Sequence, residues 1–398
     1  MTRRRGITIG LCALAVLFLL PRAANAALGN FVNIQLLRSI LDHGHPPDVQ
    51  PSRLRWAEEI LFGSGTTQGV SLAHGYLLFA QVSLEQGNLA KADEYFLRAI
   101  SVDPRDRIAH LGLGNQIERL GRPVQAVDEW RLAGAGPRKI SEAKRYAQMG
   151  LYADVIRTYE DALAIDPSQQ EAYSGLALTY AQHGESENAA ALWRRALTRL
   201  PQWSEPYAQL GYLLYWRLSS QSEGVAVLQE CVTAAVNPAG CYYYLGKVSQ
   251  ERGDSGAAIR FLTLSTQLLP ASGDNWAALG EIYFVLGKYD VAAEMYDRAA
   301  SLGDHPVWRW LGPLGAGRAF LAAGDYPRAV ERLESALAAA QRQRIGLPYL
   351  SEILNTLGKA YEAGGNFEQA ARAYQRTLEG DPGNLEAASA LARLGAKH

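Results

Sequence analysis

WAALGEIYFVLGKYDVAAEMYDRAA, residues 276–300, is the stretch whose reading decides the fold. Its skeleton is Trp276, Leu279-Gly280, Tyr283, Gly287, Ala292, Tyr296 and Ala299. The same alternation of small and large residues recurs at Tyr173, Leu176-Ala177, Tyr180, Gly184, Ala189, Trp193 and Ala196, and Pro201 closes it. A fixed period near 34 residues predicts stacked helical hairpins, because one hairpin cannot bury its apolar face alone and the next one covers it.

Working outward, the small residue in the middle of each first helix falls at Ala80, Gly114, Ala143, Ala177, Gly211, Gly246, Gly280, Gly317 and Gly358. The spacings are 34, 29, 34, 34, 35, 34, 37 and 41. A second small residue answers each in the second helix: Ala92, Ala126, Val155, Ala189, Gly224, Ala258, Ala292, Ala329 and Ala370. Small side chains at both places let two antiparallel helices approach closely. Large ones such as Phe96, Trp130, Tyr159, Trp193, Leu333 and Tyr374 fill the remaining space. Glycine marks most hairpin turns, as at Gly87, Gly121, Gly253 and Gly365, and proline stops many second helices, as at Pro104, Pro167, Pro270 and Pro382.

This pattern resembles the tetratricopeptide repeat family over about nine units, residues 71–383. The resemblance implies an all-α, right-handed superhelical solenoid with a concave groove lined by the first helices. Three places depart from the family pattern. The 29-residue spacing and Pro137 predict a short first helix in the third unit. The fifth unit carries Ser219-Ser220-Gln221 near its turn, and the eighth has Pro313 early in its first helix and a lengthened exit through Gln343 and Pro348. A final helix over 384–394, with Leu385, Ala388 and Leu391 on one side, is expected to cap the array within a C-terminal segment 384–398.

Residues 1–26 read as an address. Arg3-Arg4-Arg5 is a basic leader, Ile7 to Leu20 is uncharged and apolar, and Ala24-Asn25-Ala26 offers small residues before a cut between Ala26 and Ala27. As a helix at ~1.5 Å per residue the apolar run reaches only about 21 Å, short of a ~30 Å hydrocarbon core. A cleaved signal peptide follows, placing the mature protein in the periplasm, envelope or exterior. The alternative is an anchor through residues 7–20 with the array outside the cytoplasm. Residues 27–70 lack the repeat and hold Pro46-Pro47, Pro51 and a Gly/Thr loop, so they read as an N-terminal helical cap and linker.

The chain is 48% hydrophobic and 20% charged, suiting an ordered protein. Its formal charge is -1; the first 26 residues contribute four arginines and no acid, which leaves -5 for the remainder. A mildly acidic chain has no electrostatic footprint for nucleic acid. No HExxH, GxxxxGK[ST] or GxSxG signature occurs. His43 and His45 form the one close histidine pair, in a Pro-rich loop without ligands at zinc-like spacing, so no metal and no cofactor is expected. Acidic neighbours such as Glu58-Glu59 and Glu160-Asp161 point about 100° apart on a helix and do not converge on one atom. The expectation is a non-enzymatic protein.

Cys231 falls near the end of the fifth unit's second helix and Cys241 near the start of the next helix. Antiparallel neighbours joined by a short loop bring such positions close, so a disulfide is expected outside the cytoplasm, its ring of about 11 residues contributing roughly 2.8 kcal/mol. Buried free thiols are the other reading.

In the fifth unit, Glu205, Ala208, Tyr212, Tyr215 and Trp216 form a stripe apart from the packing stripe. The family resemblance places it on the concave surface, with Tyr243, Lys247, Glu281, Phe284 and Arg318 in the following units, and Asn115, Glu118 and Arg119 in the second. The candidate partner-binding groove is therefore Tyr212, Tyr215, Trp216, Tyr243, Lys247, Phe284 and Arg318. Rings beside fixed charges suit an extended peptide, an amphipathic helix or a sugar ring; burial of these rings against their own irregular unit is the bland alternative. The function expected is an exported scaffold binding a protein or peptide partner, in envelope assembly. The alternative is a carbohydrate-binding factor for polysaccharide export or assembly.

Overall fold

The computed structural model describes residues 70–302 and 305–395. The expected signal segment with Ala26 and Ala27, the expected N-terminal cap and linker up to residue 69, and the His43/His45 pair lie outside the described residues. Within them the chain forms 19 helices and no strand, and it divides into two compact units, one ending at Gln182 and the other beginning at His183.

In the first unit, α1 (Val70–Glu85) pairs with α2 (Leu89–Val102), α3 (Arg107–Arg119) with α4 (Pro123–Ala133), and α5 (Gly136–Gln148) with α6 (Tyr152–Ile165); α7 (Gln170–Gln182) packs on α6. The second unit opens with α8 (Ser186–Arg199). Its hairpins are α9 (Ser204–Tyr212) with α10 (Gln221–Ala234), α11 (Ala239–Glu251) with α12 (Ser255–Leu268), and α13 (Gly273–Val285) with α14 (Tyr289–Leu302). Then follow α15 (Trp308–Ala323) with α16 (Tyr326–Arg342), and α17 (Tyr349–Ala363) with α18 (Phe367–Gly380), before α19 (Leu385–Gly395). Here each first helix also touches the next one: α9 meets α11, then α13, α15 and α17 in turn. That adjacency makes a continuous first-helix face.

The small-for-large exchange read from the repeat is the closest contact in the hairpins. A Cβ placed on Gly114 would stand 2.6 Å from the Trp130 ring, one on Gly246 2.6 Å from Leu262 Cγ, and one on Gly358 2.6 Å from Tyr374. Trp130, Leu262 and Tyr374 are fully buried. Most turns share one device: a glycine at positive φ, as at Gly253 (78°) and Gly324 (80°), reverses the chain. At four of these turns the Asp or Asn after it, Asn88, Asp254, Asp325 or Asn366, caps the second helix. Asp254 Oδ1 accepts from the Ala257 amide at 2.8 Å, and Asp325 Oδ1 from the Arg328 amide at 3.1 Å.

Three irregular places resolve as follows. The third unit's first helix is not short: α5 has 13 residues, as α3 does. The missing length comes from α4, which has 11 residues because Gly134 takes a left-handed cap at φ 62°, and from the two-residue link to α5. Pro137 costs α5 nothing, since it stands in the first turn where the amide hydrogen has no helical acceptor. In the fifth unit, α9 runs into a π-helical turn, Leu213–Arg217, and Ser219 at φ 54° replaces the turn glycine. In the eighth, Pro313 lies inside α15, and α16 extends to 17 residues. The C-terminal helix caps the unit with a face different from the expected one. Ala387, Ala390 and Leu394 pack on Ala370 and Tyr374, whereas Leu385 and Ala388 are exposed. Glu386, bonded to Asn355 Nδ2 at 3.2 Å and paired with Lys359, holds the helix in that rotation.

Gly246→Ala tests the close approach. Its methyl would press on Leu262 and on the Ala258 carbonyl, 3.4 Å away. The overpacking cost outweighs the helix-propensity gain, so a net loss of about 1–2 kcal/mol is expected in urea denaturation. Unchanged stability would overturn the packing argument.

Candidate functional site

The first-helix face of the second unit carries a run of half-buried rings. Tyr212 ends α9, Trp216 rides on the π turn, and Tyr243 and Tyr244 stand on α11; Phe284 and Trp308 follow on α13 and α15. Ring centroids lie 5.7 Å apart for Tyr212 and Trp216, 5.5 Å for Tyr212 and Tyr244, and 5.2 Å for Tyr243 and Tyr244. Two adjoining cavities follow this run. One of about 690 Å³ is lined by Tyr212, Trp216, Tyr244, Gln250 and Glu251. The other, about 450 Å³, is lined by Asp274, Phe284, Tyr296, Trp308 and Arg318. Tyr243, Lys247 and Glu281 border both, so the two form one groove.

Most of its charges are matched from one hairpin to the next; Arg217, which borders the cavity beside Trp216, makes no ion pair. Lys247 Nζ lies 3.0 Å from Glu281, and Arg318 lies 3.4 Å from Glu352 while its guanidinium stands 6.0 Å from the Phe284 ring centroid. The indole nitrogens are bonded in the same way: Trp216 Nε1 donates to Glu251 at 3.0 Å and Trp308 Nε1 to Asp274 at 3.0 Å. These partners are one repeat apart, at separations of 34 or 35 residues. Exposed pairs of this kind add little stability, but they hold neighbouring first helices in register. The tyrosine hydroxyls differ. Tyr243, Tyr244 and Tyr296 make no hydrogen bond through them. Burial raises the Tyr243 pKa and pushes those of Tyr244 and Tyr296 up to about 12, so all three remain protonated donors at neutral pH.

Six of the seven expected groove residues border these cavities: Tyr212, Trp216, Tyr243, Lys247, Phe284 and Arg318. Tyr215 does not. It is 4% exposed and packs in the core with Tyr207, Leu228, Cys231 and Leu245. The π turn is the cause: the Leu218 amide donates to the Leu213 carbonyl, five residues back, at 2.9 Å. The widened turn keeps Trp216 over Tyr212 but carries Tyr215 inward. Ala208 of the same stripe is also buried, against Gly240 of α11. Tyr244, Asp274 and Trp308 were missed in the sequence, where Tyr244 is masked by the run Tyr242-Tyr243-Tyr244. A search for partners 34 residues apart would have found Asp274 with Trp308. Behind the groove, Cys231 and Cys241 are joined by a disulfide with Cα atoms 6.3 Å apart, linking α10 to α11. Among the described residues no group of three His, Cys, Asp or Glu is placed to hold a metal ion, and no helix is long and apolar enough to cross a membrane.

Comparison with known proteins agrees with this architecture. Residues 77–138, 140–202, 273–302 and 313–382, more than half of the chain, match models described as Tetratricopeptide repeat. The chain belongs to the tetratricopeptide repeat family. Superkiller protein 3 of Schizosaccharomyces pombe is 25% identical over 246 residues, covering 60% of this chain and 15% of that protein. The human Protein O-mannosyl-transferase TMTC3 is 29% identical over 128 residues, 32% of this chain and 12% of that protein. This tetratricopeptide repeat protein thus spans a small part of the length of either relative. Among solved structures, the APC/C hetero-tetramer Cut9-Hcn1 aligns with a TM-score of 0.45 at 12% identity, covering 94% of this chain and 84% of that one. The chain is a repeat scaffold of the kind that mediates protein–protein interaction.

Tyr215 and Trp216 separate core from groove. Tyr215→Ala is expected to cost about 3–5 kcal/mol, as for a buried ring. Trp216→Ala should cost about 1 kcal/mol, because its ring is half solvated and Glu251 returns to water. Thermal melting of both variants checks this, and equal losses would place Trp216 in the core.

Proposed function

We propose that the chain is an exported, non-enzymatic scaffold of the cell envelope that holds a protein partner along the groove of its second unit. The observation that carries this reading is the run of half-buried rings from Tyr212 and Trp216 through Tyr243 and Tyr244 to Phe284 and Trp308. Aromatic side chains remove large area from water at small entropic cost, so a few anchors carry most of a binding energy. Lys247 and Arg318 along the groove are paired with Glu281 and Glu352, whereas the hydroxyls of Tyr243, Tyr244 and Tyr296 are free to bond an extended backbone. Photocrosslinking from position 284 in the native envelope is expected to give a discrete protein adduct. Trp216→Ala should weaken that partner's binding about 30-fold, on the order of 2 kcal/mol. An adduct digested by glycosidases but not by proteases would reassign the groove to a polysaccharide, which half-buried rings with free hydroxyls also suit.

Export rests on the basic leader Arg3-Arg4-Arg5, the apolar run Ile7 to Leu20 and the small residues before Ala27. The bond between Cys231 and Cys241 supports it, since such bonds persist in oxidising compartments. N-terminal sequencing of the mature protein is expected to begin at Ala27. A full-length chain in the membrane fraction would instead mean anchorage through residues 7–20.

A further inference from the structure

The first unit has a second cavity, of about 430 Å³, between the first helices α3 and α5. Its chemistry differs from that of the aromatic groove. In three other units a cation just after the central small residue of a first helix meets an acid near the start of the next one: Lys144 pairs with Glu171, Arg318 with Glu352 and Lys359 with Glu386. Between α3 and α5 there is no such pair: Asn115 stands at the cation's place, and a proline and a further cation, Pro137 and Arg138, stand where the acid would be. Arg138 is left without a hydrogen bond or ion pair, and so is Arg119.

The cavity's two carboxylates, Glu118 and Glu142, already face cations of the chain, and four cations, Arg119, Arg138, Lys139 and Arg145, line it beside them. Trp130 Nε1 donates to Asn115 Oδ1 at 3.0 Å, which fixes the amide and leaves Asn115 Nδ2 without an acceptor. Glu118 is taken by Lys139 at 3.7 Å and Arg157 at 3.8 Å, and Glu142 accepts from the Tyr146 hydroxyl at 3.2 Å. Lys139 is itself buried, 3.5 Å from the Trp130 ring centroid and 3.1 Å from Asp161, and has no valence to offer. Two unpaired guanidiniums and a fixed amide NH₂ thus converge on one cavity, and a third guanidinium, Arg145, is held by Glu142 at 3.6 Å and by the Tyr146 ring, 5.7 Å from its centroid. Planar guanidiniums pair best with carboxylates, bidentately.

We propose that this cavity is a binding site for a short acidic stretch of polypeptide, recognised through two or three side-chain carboxylates. A long polyanion fits less well. Residues 70–182 hold 12 Lys and Arg against 14 Asp and Glu, so the positive field is local and ends within one hairpin step. The site is independent of the aromatic groove and of the function proposed for it.

Calorimetric titration of the full chain with hexaglutamate blocked at both termini tests the proposal, with blocked hexaglutamine as control. Saturable binding of hexaglutamate alone is expected, weakening as salt rises. The double variant Arg119→Gln/Arg138→Gln should lower the affinity by at least about tenfold without changing the melting temperature, since both side chains are exposed and unpaired. Arg122→Gln, an exposed arginine outside the cavity, and Trp216→Ala should leave the affinity unchanged. No saturable binding would overturn the proposal, as would equal loss in Arg122→Gln. It also fails if only a peptide with a free C-terminal carboxylate binds, or if polygalacturonate binds more tightly than the peptide.

Discussion

The close approach of two helices, permitted by a residue with almost no side chain, is the constraint on which the rest of this structure depends. Gly114 against Trp130, Gly246 against Leu262 and Gly358 against Tyr374 are the same contact made with different large partners. Each large side chain is removed from water, and each small one lets the backbone come near enough for that burial to be complete. The hairpin is therefore the unit of packing, completed by its neighbour, and the turn glycine, backed at Asp254 and Asp325 by a side-chain cap, sets where it bends.

Function follows from what this packing leaves uncovered. With the second helices taken up by the core, the successive first helices of the second unit present their free faces side by side. Residues one repeat apart then become neighbours, which is why Lys247 finds Glu281 and Trp308 finds Asp274. In such a lattice an unpaired group is informative because the lattice supplies partners by default. The tyrosine hydroxyls of the second unit and the free guanidiniums of the first are groups for which it supplies none. The π turn shows the reverse case. One widened turn moves Tyr215 into the core and leaves Trp216 at the groove, so neighbouring rings play unlike parts.

The sequence by itself determined the repeat, its register, the turn positions and the identity of the small and large packing partners. All of these are periodic, and a period is visible along a chain. It also placed Cys231 and Cys241 near each other and named six residues that border the two adjoining cavities. What only the tertiary structure decided was local and aperiodic. The shortening of α4 rather than α5 came from the left-handed Gly134. The inward turn of Tyr215 came from a five-residue hydrogen bond, and the rotation of α19 came from Glu386 reaching back to Asn355 and Lys359. Which charges remain unpaired was likewise settled by contacts between hairpins, because a side chain's partner depends on distances across the stack that residue spacing alone does not encode.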